Sequence, residues 1–120
     1  MREAAEAEKD KFVTAITKSV KPKMSALLKS FSSKGHALKI NREDLSSSTP
    51  AIQYALTMDE PGRPTYLIEF DSNISEVEVA FRMSKHSLPK KSYDKNLDFD
   101  LTQDDVEQEV INGLKFLKTQ

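Results

Sequence analysis

The apolar residues of this chain recur every three or four positions as far as Phe31 and every second position from Leu38 onward. That change of period dictates a helix followed by a sheet. Phe12, Val13, Ile16, Val20, Met24, Leu27, Leu28 and Phe31 cover one half of a helical wheel at about 100° per residue, with Lys11, Lys18 and Lys29 at the opposite pole. Pro22 interrupts the pattern, where it removes a backbone donor and crowds the preceding turn, yet the stripe keeps its phase on both sides. One kinked helix, or two collinear ones, is expected over about residues 3–33, with Gly35 as the stop signal.

Four strands are then expected at about 36–42, 51–59, 64–71 and 76–84. Leu38 and Ile40, then Ile52, Tyr54, Leu56 and Met58, then Tyr66, Ile68 and Phe70, then Val77, Val79, Phe81 and Met83 point inward. The positions between them are mostly polar, so the second face of the sheet should meet water. Pro61-Gly62 and Asp71-Ser72-Asn73 are turn signals, which makes strands two to four a meander of hairpins. Ser84 to Asn96, with Pro89 and four lysines, reads as irregular, and Leu97, Phe99 and Leu101 as an edge strand at 97–101. Thr102 and Asp105 form a capping-box pattern ahead of a second amphipathic helix over about 103–118. The 120 residues suffice for one core, so 1–120 is expected to be a single α+β domain with both helices on one face of an antiparallel sheet of four to five strands.

Cysteine is absent, which removes disulfides, thiolate metal sites and cysteine nucleophiles and points to the cytoplasm. The acidic opening Met1-Arg2-Glu3-Ala4-Ala5-Glu6 is unlike a signal peptide, and no apolar run approaches the ~20 residues of a membrane span. Net charge is −1, but its distribution is blocked: residues 11–42 hold eight Lys/Arg and no acid, 43–80 one basic and eight acidic, 81–95 five and one, and 96–120 two and six. Opposite surfaces of opposite sign follow.

Two groups of basic residues are candidate anion or partner sites. Lys11, Lys18 and Lys29 lie on the helix face, and a meander brings Lys34 and His36 to the same end of the sheet as Lys85, His86, Lys90, Lys91 and Lys95, with Tyr93 as a stacking surface. Solvated lysines are the more ordinary reading of both groups. In sequential strand order the two histidines are about 14 Å apart, too far to share a metal ion. Residues 94–105 place oxygen ligands at calcium-loop spacing, but Phe99 stands where the loop needs Gly, so no metal is expected there. Phosphate-loop, dinucleotide and hydrolase motifs are missing, no cofactor is expected, and carboxylates on an exposed sheet face have no environment to split their pKa values.

The chain therefore reads as a non-catalytic accessory domain that binds a protein partner or a second copy of itself, because part of Phe12, Ile16 or Val20 is expected to overhang the core. An anion or nucleic-acid binder using the basic groups is the alternative. A small apolar ligand lined by Tyr54, Tyr66 and Phe81 is outweighed by ordinary core packing.

Overall fold

A computed structural model describes residues 2–73 and 78–119. The N-terminal third is one helical rod made of α1 (Arg2–Ala15), a π-helical segment (Ile16–Val20) and α2 (Lys21–Ser33). Within it Phe12, Ile16, Val20 and Met24 are fully buried at strict four-residue intervals. In an α-helix such a repeat drifts by about 40° per step, because a turn takes only 3.6 residues. The π segment, with more residues per turn, takes out that drift. It also settles Pro22, which follows immediately: Lys21 N–H reaches back five residues to the Ile16 carbonyl, and the proline falls in the first turn of α2, where a missing N–H is tolerated. The rod is neither broken nor ended at Pro22. Nor do Phe12, Ile16 and Val20 overhang; the domain's own core covers all three.

The rod stops in a Schellman motif. Gly35 takes φ +88°, its N–H donates to Ser32 O at 3.1 Å, and His36 N–H donates to Phe31 O at 3.0 Å. The His36 and Phe31 rings meet edge-on, 5.9 Å apart, which fixes the direction in which the chain enters the sheet.

Five antiparallel strands follow in sequential order: β1 (Ala37–Asp44), β2 (Ala51–Thr57), β3 (Thr65–Asn73), β4 (Glu78–Lys85) and β5 (Leu88–Leu97). Pro61 and Gly62 form a type II turn, closed by Arg63 N–H to Glu60 O at 2.8 Å, with Gly62 at φ +82°. Asp71, Ser72 and Asn73 are strand and not turn, paired with Ala80, Val79 and Glu78. The expected strand start at 76–77 lies outside the described residues.

The edge strand also differs from expectation. β5 occupies the lysine-rich stretch, whereas 98–101 is a turn in which Leu101 N–H meets Asp98 O at 3.2 Å. Pro89 is admitted because β5 is an outer strand and its register slips there: Ser84 faces Ser92, but Lys85 faces Leu88. Tyr93 and Leu97 then pack against the core.

α3 (Gln103–Lys118) begins with a capping box, in which Thr102 Oγ1 accepts from Asp105 N–H at 3.1 Å and Asp105 Oδ2 accepts from Thr102 N–H at 2.8 Å. Both helices cover the same face of the sheet, α2 above β1 and α3 above β4 and β5. Between the helices and the sheet Phe12, Ile16, Met24, Ile52, Phe70, Phe81 and Val106 are sealed from water, at about 1.5–3 kcal/mol for each large side chain. The fold is α+β, as the change of period requires. Ser19, buried in the π segment, donates to Leu101 O at 2.8 Å and ties the rod to the turn before α3.

Candidate functional site

β1 ends the sheet, and α2 runs above it with their directions opposed. Between them lies a cleft of about 230 Å³ lined by Lys21, Met24, Ser25, Leu28, Ile40 and Tyr54. Met24 and Tyr54 are buried, but Leu28 and Ile40, which the alternation of the sequence turns inward, are 40% and 49% exposed. Their patterns are correct. Their elements stand at the border of the layer, and no further strand or helix among the described residues covers them.

Tyr54 adds a polar group to this apolar lining. Burial pushes its hydroxyl up to about 12, and the Glu43 carboxylate pushes in the same direction. Glu43 forms an ion pair with Lys21, one of the residues lining the cleft. Among the described residues the Tyr54 hydroxyl has no hydrogen-bond partner, which leaves a nearly buried donor able to serve an acceptor that enters the cleft.

The strand edge beside the cleft is charged and bulged. Register passes from Ile40 opposite Tyr54 to Arg42 opposite Gln53, with Asn41 as the extra residue. Arg42 reaches over the open face to Glu69 at 3.1 Å, while Asn41 donates to Gln53 at 2.7 Å and Gln53 to Glu69 at 3.2 Å.

Compared with protein-family models, curated proteins and solved structures, this chain matches none. The site has to be read from its own chemistry.

The basic residues singled out from the sequence do not gather as one group. Lys85 and His86 share a cleft of about 310 Å³ with Arg63, Thr65 and Ser87, between the β2–β3 and β4–β5 turns. Lys34 and His36 are not among the residues that line it. His36 Nδ1 accepts from Asp59 N–H at 2.8 Å. Lys90 and Lys91 are exposed in the slipped part of β5, and Lys95 is exposed opposite Phe81. The ring of Tyr93 lies between Phe81 and Phe116, at 6.1 and 5.8 Å. Its hydroxyl donates to Glu109 at 2.6 Å, and burial followed by that contact raises its pKa. Lys11, Lys18 and Lys29 are exposed along the rod, but Lys21, Lys23 and Arg42 of the same acid-free stretch pair with Glu43, Glu107 and Glu69. The basic block is thus partly neutralised by the acidic ones.

Two groups were not legible in the sequence. Arg63 joins the second cleft only because its turn folds back toward β4. Asp71, on the open face, is pushed up to about 7 by partial burial and then by the hydrogen bond and charge of Glu69, against the pull of Arg42 and Arg82. No group of His, Cys, Asp and Glu among the described residues is arranged to hold a metal ion, and no described helix is long and apolar enough to cross a membrane.

Proposed function

We propose that this protein is a non-catalytic interaction domain whose docking site is the cleft between α2 and β1. The observation that carries this reading is the pair Leu28 and Ile40, half exposed on the two sides of a floor made by Met24 and Tyr54. Large apolar side chains scattered singly over a surface are ordinary, but two that flank one cleft beside an open strand edge make a place for a partner side chain and backbone. The unpartnered Tyr54 hydroxyl supports it further, since a buried donor left without an acceptor costs about 1–3 kcal/mol that a docked carbonyl recovers. A cysteine-free sequence fits a reducing compartment, and the cytoplasm is where we place this activity.

The test is a photo-crosslinking residue placed at Leu28, at Ile40 and, as control, at Arg82 on the open sheet face, in cells producing the protein. Discrete adducts from 28 and 40 but not from 82 are expected. Adducts from 82 alone, or from none of the three, overturn the assignment. A second reading, the binding of an anion such as phosphate, is favoured by the Arg63, Lys85 and His86 cleft, in which Lys85 and His86 lack an ionic partner among the described residues.

A further inference from the structure

The free edge of β1 carries its charges in a pattern that fits one particular strand. Lys39 faces Ala55 of β2 and Asp44 faces Ala51, so both stand on the open side of the sheet, whereas Ile40 faces Tyr54 and Glu43 faces Ile52 on the helix side. Without a bulge, residues 39 and 44 would point to opposite sides, because side chains alternate along a strand. The extra residue Asn41 brings them to the same one. Among the described residues Lys39 has no ion-pair partner, and Asp44 only accepts a hydrogen bond from Ser47 N–H at 3.3 Å.

From this arrangement, and resting on the reading of the α2–β1 cleft as a docking site, we infer that its occupant is a second copy of this chain. The two β1 strands pair antiparallel about a two-fold axis between Asn41 and Arg42. Lys39 then stands opposite Asp44 of the second copy, and Asp44 opposite Lys39 of the second copy, on the open side. Ile40 stands opposite Glu43 of the second copy on the helix side. Like faces stay together, as a continuous sheet requires. The neighbouring register that also keeps faces matched sets Lys39 against Arg42 of the second copy, and directly opposed like charges are destabilising. Charge therefore favours the first of these registers over its neighbour.

Charges and a bulge on an edge strand ordinarily deter pairing. They deter a foreign strand here as well, since that strand meets two cations and two anions and an irregular backbone. A second β1 brings the same bulge and the inverse order of charges, which is how one set of residues rejects other partners and accepts its own kind. The two-fold also sets the Leu28 and Ile40 pair of each copy on the same side of the joined sheet.

The experiment is sedimentation of the full chain over a concentration range up to about 200 µM, for the wild type, Lys39→Asp, Asp44→Lys and the double exchange. A wild-type dimer is expected, with its dissociation constant raised about tenfold or more by either single change and returned to within about threefold of wild type by the double exchange. Melting curves check that each variant is folded. Because the sequence has no cysteine, Lys39→Cys together with Asp44→Cys adds a direct reading. The two positions are five residues apart along one strand, about 17 Å, so an oxidised product must link two copies. A monomeric wild type, or a dimer indifferent to the charge exchanges, overturns the inference. If the chain is monomeric and positions 28 and 40 still crosslink to another protein, the cleft stands as a docking site and only its occupant was misassigned.

Discussion

Asp71 keeps its proton to about pH 7 because it is partly buried beside Glu69, a neighbour that shares a hydrogen bond with the protonated form and repels the charged one. A carboxyl whose folded pKa lies above its ordinary 3.8 binds its proton more tightly in the folded chain than in the unfolded one. Its contribution to stability is therefore present below about pH 4 and is lost as the pH rises toward 7. Asp71→Asn, which removes the charge and keeps the shape, should raise the melting temperature at pH 8 and hardly change it at pH 4. Equal effects at the two pH values would show that this carboxyl does not titrate in that window. The sequence displays Glu69 and Asp71 on one face of a strand, but Arg42 and Arg82, which oppose the shift, come from other strands. Without their register the sign and size of the shift are invisible. Tyr54 makes the same point, since its place in the alternation reads as core, and only the packing of α2 reveals a hydroxyl without a hydrogen-bond partner among the described residues.

Elements were more legible than single side chains, because periodicity records which face is buried. The rod, the first three strands and the cap of α3 follow from spacing and from Gly35, Pro61-Gly62 and Thr102. Two elements did not. At Pro22 the sequence allows a kink or a break, and the π segment that avoids both is written only in the strict four-residue spacing of Phe12, Ile16, Val20 and Met24. For β5, Pro89 and the lysines read as irregular because they suit a loop and an outer strand equally well, and their position at the sheet's border decides. Gly113 shows how packing overrides propensity. Within α3 an alanine there gains up to ~1 kcal/mol of helix propensity. Its Cβ, however, would lie 2.5 Å from Met83 Sδ and 3.3 Å from Met83 Cβ. Overpacking of a well-filled core costs about 1–3 kcal/mol, so Gly113→Ala should lower stability in urea titration by roughly 1 kcal/mol net. A rise in stability would mean that Met83 moves aside freely.

Over the whole molecule the blocked charges of the sequence become bridges between layers. Lys23 of α2 meets Glu107 of α3 at 3.0 Å, and Lys118 meets Glu60 of the β2–β3 turn at 3.1 Å. Each exposed pair is worth about 0–1 kcal/mol, so they align the layers more than they stabilise them. Lys85 and His86 have no ionic partner among the described residues in the cleft they share with Arg63, whose own guanidinium lies 3.8 Å from Asp59. If that cleft takes an anion, inorganic phosphate should shift the amide resonances of these three residues at low salt, and Lys85→Glu or about 0.3 M salt should erase the response. A response unchanged in Lys85→Glu sinks that second reading. The sequence showed the charge blocks but not which of them cancel, since cancellation depends on contacts between residues 84 positions apart, such as Lys23 with Glu107. The order of the elements has a consequence for synthesis. The rod leaves the ribosome first, while the sheet that covers its apolar stripe is complete through β3 only some 40 residues later, about 2–8 s at ordinary elongation rates. During that interval the nascent chain presents Phe12, Ile16, Val20 and Met24, all sealed in the folded domain, to the surrounding medium as an uncovered apolar stripe.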